Sequence, residues 1–149
     1  MATIHLPPEF KEFLQSLNSK KVEYLLVGGY PVSYYGYART TADIDVWIRV
    51  TEKNAIRLAD ALVDFGFDEA HVRPQLFLRM GKIHRIGVPP LRIDILTDIS
   101  GVKFDRCYPN RTVAKIDGIK VNIIALRDLK KNKRASGRLK DLDDLENLP

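Results

Sequence analysis

The sequence of 149 residues contains one cysteine, one tryptophan and three histidines. Cys107 alone cannot form an internal disulfide, so no disulfide scaffold is expected. His5, His71 and His84 lack the paired spacing of zinc ligands. No stretch reaches the roughly 18 apolar residues of a membrane span. The segment from Met1 to Pro8 has neither the basic start nor the apolar run of a secretory signal, so a cytoplasmic protein with no membrane contact is expected. A Walker loop and the G-x-G-x-x-G fingerprint are both missing, which removes the two commonest phosphate loops. No internal repeat or low-complexity linker is found. The length suits one domain over residues 1–149, ending in a helical segment over about 126–149.

Charge is present but unevenly placed. The formal net charge is +5. Between Arg127 and Lys140 seven basic residues face a single acid, Asp128, a local net of +6 that leaves the rest of the chain at −1. The last nine residues carry four acids and no base. The basicity is therefore one local feature, compatible with an anionic ligand, and not a general nucleic-acid surface.

Hydrophobic periodicity sets out the elements. Phe10, Phe13, Leu14 and Leu17 recur at i, i+3, i+4 and i+7 after Pro7 and Pro8, which predicts a helix. Val22 to Val27 reads as a strand stopping at Gly28-Gly29, and Tyr30 to Tyr35 as a short helix ended by Gly36. Asp43 to Val50 alternates as a strand, with Ile44, Val46 and Ile48 on one face and Asp43, Asp45 and Trp47 on the other. Thr51 is a candidate N-cap for a helix burying Ala55, Ile56, Ala59, Leu62 and Val63 and ending at Gly66. Three short strands are expected over Leu76 to Met80, Lys82 to Ile86 and Leu91 to Leu96. Val113 to Ile116 and Ile119 to Ile124 flank Asp117-Gly118, a hairpin signal. A helix from Leu126 follows, then one after Gly137 with Leu139, Leu142 and Leu145 as its apolar side.

Asp43, Asp45 and Asp94 stand out because each interrupts an apolar strand. A lone D-x-D most often marks an exposed strand. Here the two acids share a face about 6.6 Å apart, close enough to share a pair of divalent cations. A third acid on a neighbouring strand would complete a cluster whose mutual repulsion a metal relieves. Gly28-Gly29 ends a strand and opens a helix, leaving backbone N–H groups accessible to a phosphate. Taken by itself that pair is more often only a turn. Tyr30, Tyr34, Tyr35 and Tyr37 suit packing better than base stacking, and Trp47 suits a ligand face or a half-buried strand equally.

The run V-G-G-Y-P-V-S-Y-Y-G-Y-A-R-T-T-A-D-I-D-V-W-I, Val27 to Ile48, followed by Asp94 within R-I-D-I-L, resembles the signature of the DNA polymerase β-like nucleotidyltransferase superfamily. The later pattern of Lys133, Gly137, Arg138, Lys140, Asp141 and Asp144 is similar to the tail of small bacterial members related to abortive-infection, type IV toxin–antitoxin, nucleotidyltransferases. The resemblance implies an α/β (α+β) nucleotidyltransferase fold, with a mixed, mainly antiparallel sheet and helices chiefly on one face. It implies that Asp43, Asp45 and Asp94 are catalytic and ligate two Mg²⁺ ions, with Mn²⁺ as a substitute. Gly28 and Gly29 would cradle the triphosphate, with Ser33, Arg39 and Lys133 as further nucleotide-binding candidates. A solvent-facing or backbone-bonded role suits Ser33 better, and Arg39 reads equally well as solvated surface.

The implied reaction moves a nucleoside monophosphate from an NTP such as ATP to a hydroxyl on an acceptor: tRNA or another RNA, a partner protein, or a small molecule. Larger superfamily members hold base and acceptor with extra domains. A second copy or a partner chain would then complete the cleft here. The alternative is a non-catalytic nucleotide- or RNA-binding module, or a toxin–antitoxin partner, that keeps the fold.

Overall fold

In a computed structural model, residues 4–38, 41–87 and 90–149 are described. Helix α1 (Pro8–Ser19) starts with proline in its first turn, where a missing N–H costs nothing, and buries Phe10, Phe13, Leu14 and Leu17. Strand β1 (Tyr24–Val27) is buried along its whole length and leads through Gly28 into α2 (Gly29–Tyr34). Strand β2 (Asp43–Ile48) follows. Helix α3 (Glu52–Phe65) is capped by Thr51, whose Oγ1 accepts from Asn54 N at 3.2 Å, and closes at Gly66.

Beyond α3 the chain makes two 3₁₀ turns, Glu69–His71 and Pro74–Phe77. The strand expected over Leu76 to Met80 is not formed. Pro74 opens a turn, only Phe77 of that stretch is buried, and Leu76 and Met80 are exposed. Then come β3 (Ile83–Ile86), β4 (Arg92–Leu96) and α4 (Phe104–Cys107). The hairpin of β5 (Thr112–Ile116) and β6 (Ile119–Ile123) turns on Asp117 and Gly118, both at positive φ. Helices α5 (Leu126–Ser136) and α6 (Leu139–Asn147) end the chain.

The six strands form one mixed sheet in the order β3-β4-β2-β1-β6-β5. Three of its five pairings are antiparallel; β1 with β6 and β2 with β4 are parallel. On one face the larger core joins α1 and α3 to Tyr24, Leu26, Ile44, Val46, Ile93 and Ile95. On the other, a smaller cluster joins Leu25, Val27 and Trp47 to Cys107 of α4 and Leu129 of α5. Trp47 is thus a core residue, 1% exposed, with its ring edge-on to Phe104 at 5.1 Å. The tyrosines after the glycines also pack: Tyr30 sits against Phe10, and the Tyr35 hydroxyl donates to Ile124 O at 2.7 Å.

Helix α3 buries Ala55, Ala59 and Leu62 of its expected face but not Ile56 and Val63, and α6 turns a different side inward from the one expected. In α3 the stripe is Ala55, Leu58, Ala59 and Leu62, an unbroken i, i+3, i+4, i+7 set, while Ile56 and Val63 lie beside it in solvent. In α6 the buried residues are Asp141 and Asp144, and Leu139 and Leu142 are exposed. The cause is Lys133 of α5, itself 3% exposed, whose ammonium has to be paired wherever it is buried. Its Nζ lies 3.2 Å from Asp141 Oδ1 and 3.1 Å from Asp144 Oδ2.

Candidate active site

Alternation along β2 points Asp43 and Asp45 to the face opposite the larger core. The parallel pairing of β2 with β4 sets Asp94 directly beside Asp45, and Arg92 beside Asp43. The structure therefore brings the three acids of the sequence reading to one place. They line a cleft of about 470 Å³ together with Gly28, Arg85, Asp98, Ser100, Asn132, Arg138 and Lys140.

Gly28 is the closest wall. Its φ is +79°, and a Cβ placed on it would fall 2.1 Å from Asp45 Oδ2. Both the turn and the carboxylate's seat require glycine there. Gly28→Ala is expected to lose about 2–3 kcal/mol in thermal unfolding, combining backbone strain with displacement of Asp45. Gly118, at φ +82° with open space around it, supplies the comparison. Gly118→Ala should show the strain alone, and equal losses in the two variants would contradict the close approach.

Burial pushes the Asp45 carboxyl up to about 6, reinforced by the negative charges of Asp94 and Asp43 and partly offset by Lys140. Asp94 is 8% exposed and its Oδ1 is buried without a hydrogen bond, with Arg85 Nε 3.6 Å away. The Asp43 carboxylate is held by Arg92, Nη2 to Oδ2 at 3.2 Å and Nε to Oδ1 at 3.4 Å. Among the described residues no three carboxyl, imidazole or thiol groups stand assembled as a cation cage. The donor set fits a divalent ion at Asp45 and Asp94, where crowded carboxylate oxygens include a buried one, Asp94 Oδ1, with no hydrogen bond. Asp43 would join them by leaving Arg92.

The other candidates fall differently. Gly29 is buried as the first residue of α2, Ser33 is half-buried on the same helix, and neither forms the cleft wall. Arg39 lies outside the described residues. Lys133 borders the cleft, but its charge is held by Asp141 and Asp144, so it braces α6 against α5. Burial would raise the Asp141 carboxyl, yet hydrogen bonds from Arg138, Ser136 and Lys133 bring it down to about 2. Arg138 donates through Nε to Asp141 Oδ2 at 2.7 Å, which fixes the segment carrying Lys140 at the cleft edge. Arg85 is a cleft residue that the sequence does not single out. Its place on the acid face depends on the pairing of Arg85 with Asp94, which alternation along β3 alone does not reveal.

The fold matches a crystal structure of a Thermotoga maritima protein, TM1012, solved under the provisional name of a nucleotidyltransferase. The likeness has a TM-score of 0.63 at 15% identity and covers 95% of this chain and 93% of that one. The chain thus has the fold of that nucleotidyltransferase-like structure. No protein-family model matches the sequence, and no curated protein matches it. No helix among the described residues is long and apolar enough to cross a membrane.

Proposed function

We propose that this protein is a Mg²⁺-dependent nucleotidyltransferase that moves a nucleoside monophosphate from an NTP to an acceptor hydroxyl. The observation that carries the reading is the convergence of Asp43, Asp45 and Asp94 on one sheet face beside Gly28, with Asp94 Oδ1 buried and lacking a hydrogen bond. Asp45 and Asp94, with Asp43, would hold the Mg²⁺ ions, or Mn²⁺ in their place. When bound there, the cations supply polarisation of the α-phosphate and charge neutralisation of the leaving pyrophosphate. Gly28, by lacking a side chain, lets the Asp45 carboxylate sit against the backbone at the wall where the polyphosphate would lie. Asp94 accepts the acceptor hydroxyl's proton as its oxygen bonds to the α-phosphorus and the bridging bond to the β-phosphate breaks.

A neighbouring cavity of about 720 Å³ shares Asp98, Ile99 and Ser100 with the cleft lining and is also lined by Arg49, Lys103 and Phe104. The second reading, an RNA-binding module of the same fold, draws on the exposed cations Arg127, Lys131 and Arg134 on the outer side of α5. Calorimetric titration with ATP, CTP, GTP and UTP in Mg²⁺ separates the two. Wild type is expected to bind at least one nucleotide in a metal-dependent manner, and the Asp43→Asn/Asp45→Asn double variant to lose that binding. Equal binding by both proteins, or by neither, contradicts the reading; salt-sensitive RNA binding without nucleotide binding supports the module.

A further inference from the structure

Two arginines lie on the site's acids, Arg85 in the cleft wall on Asp94 and Arg92 beside the cleft on Asp43. Arg92 faces Asp43 across the β2–β4 pairing, and Arg85 faces Asp94 across the β3–β4 pairing, so with Asp45 five charged side chains share one surface. Arg92 forks onto both oxygens of Asp43, while Arg85 Nε stands 3.6 Å from Asp94 Oδ1. Neither arginine figured among the phosphate-binding candidates of the sequence, and Lys133 is unavailable because two carboxylates hold it.

We propose that Arg92 is a nucleotide-phosphate residue that the unliganded protein stores on Asp43, with Arg85 in the same relation to Asp94. Two ion pairs in this protein differ in the way that matters. Lys133 and Asp141 are 4% and 1% exposed, so separating them would strand a buried charge. Arg92 and Asp43 are 34% and 33% exposed, and such a pair exchanges partners at little cost because water screens both members. A guanidinium fork fits phosphate oxygens as well as it fits a carboxylate. A divalent ion arriving alone would have to displace Arg92 into solvent beside a new positive charge. A nucleotide arriving with the ion supplies the anion that receives it. Metal and nucleotide should therefore bind with positive coupling, each strengthening the other.

This proposal rests on the nucleotidyltransferase reading, and its test separates the two. Mn²⁺ binding without nucleotide is measured by electron paramagnetic resonance, and Mg²⁺-nucleotide binding by calorimetry, in wild type, Arg92→Gln and Arg92→Lys. Arg92→Gln is expected to tighten Mn²⁺ roughly three- to tenfold and to weaken the nucleotide about tenfold. Arg92→Lys should fall between, and Arg85→Gln should repeat both shifts at smaller size. A structural cross-strand pair would instead weaken both ligands together, and that result, or no change in either, overturns the proposal. A wild-type protein binding neither Mn²⁺ nor any of the four nucleotides overturns the functional reading and this proposal with it. Wild-type binding of both without opposed shifts overturns this proposal alone.

Discussion

Asp45→Asn is expected to reduce nucleotidyl transfer by about a thousandfold or more while making the unliganded protein more stable. The two effects have one cause. Asp45 sits against Gly28, between Asp43 and Asp94, in a place that disfavours its charge, and its carboxyl is pushed up to about 6. An acid whose folded-state value exceeds its unfolded one destabilises the fold wherever it is ionised in both states. That cost is fully present above pH 6 and fades as the pH falls toward the unfolded value of 3.8. After allowance for solvent at the cleft mouth it amounts to about 2 kcal/mol at pH 8. Urea unfolding of wild type and Asp45→Asn across pH 4–8 reads it out. The variant's advantage should be largest at pH 8 and vanish near pH 4. A variant less stable than wild type at pH 8 would show that Asp45 is an ordinary structural acid. Saturating Mg²⁺ should shrink the advantage, because a cation relieves the same repulsion in the wild type alone.

Lys133→Met is expected to cost about 3–5 kcal/mol, the largest stability loss of any single change considered for this protein. It leaves the buried carboxylates Asp141 and Asp144 without the ammonium they share. The loss should reach the cleft as well. Asp141 holds Arg138 through hydrogen bonds at 2.7 and 3.3 Å, and Arg138 and Lys140 form the cleft wall. Helix α6 would then turn Leu139 and Leu142 inward, the arrangement its apolar spacing favours once no buried charge demands the acids. The triple variant Lys133→Met/Asp141→Asn/Asp144→Asn should recover part of the stability without restoring the cleft. Denaturant unfolding checks the first point and nucleotide titration the second. A Lys133→Met loss below about 1 kcal/mol would mean that the pair is solvated.

These two residues also show where the sequence was informative. The acids were found because alternation on β2 assigns faces without any knowledge of the fold: Ile44, Val46 and Ile48 must go one way, and Asp43 and Asp45 the other. Asp94 was found because its strand has the same pattern. Their adjacency was not legible, since the parallel register of Asp45 with Asp94 depends on sheet order. Arg92 and Arg85 were passed over for that reason. Lys133 was noticed within its motif but read as a phosphate ligand, because burial of a lysine is decided by acids eight and eleven positions later. The same burial turned α6 inside out against its leucine spacing. Leu76 to Met80 misled for the opposite reason: its apolar residues carry strand propensity, but Pro74 opens a 3₁₀ turn that takes up Leu76 and Phe77.

The exposed row on α5 bears on the acceptor. Arg127, Lys131 and Arg134 face solvent on the side of the helix away from Asn132 and Lys133, which line the cleft. The local +6 is thus organised by the fold into an inner part that braces α6 and an outer part open to solvent.

Transfer of the nucleoside monophosphate, carrying the α-phosphate, is tested most directly by position-specific labelling. The protein is incubated with Mg²⁺, a cell lysate and each of the four NTPs, labelled in parallel at the α- or the γ-phosphorus. Acid-stable label is expected in an RNA, protein or small-molecule acceptor from an α-labelled nucleotide only, with release of pyrophosphate and with loss of the signal in Asp45→Asn. Transfer of the γ-label, or α-labelling that survives in Asp45→Asn, would contradict the assignment of this cleft to nucleotidyl transfer.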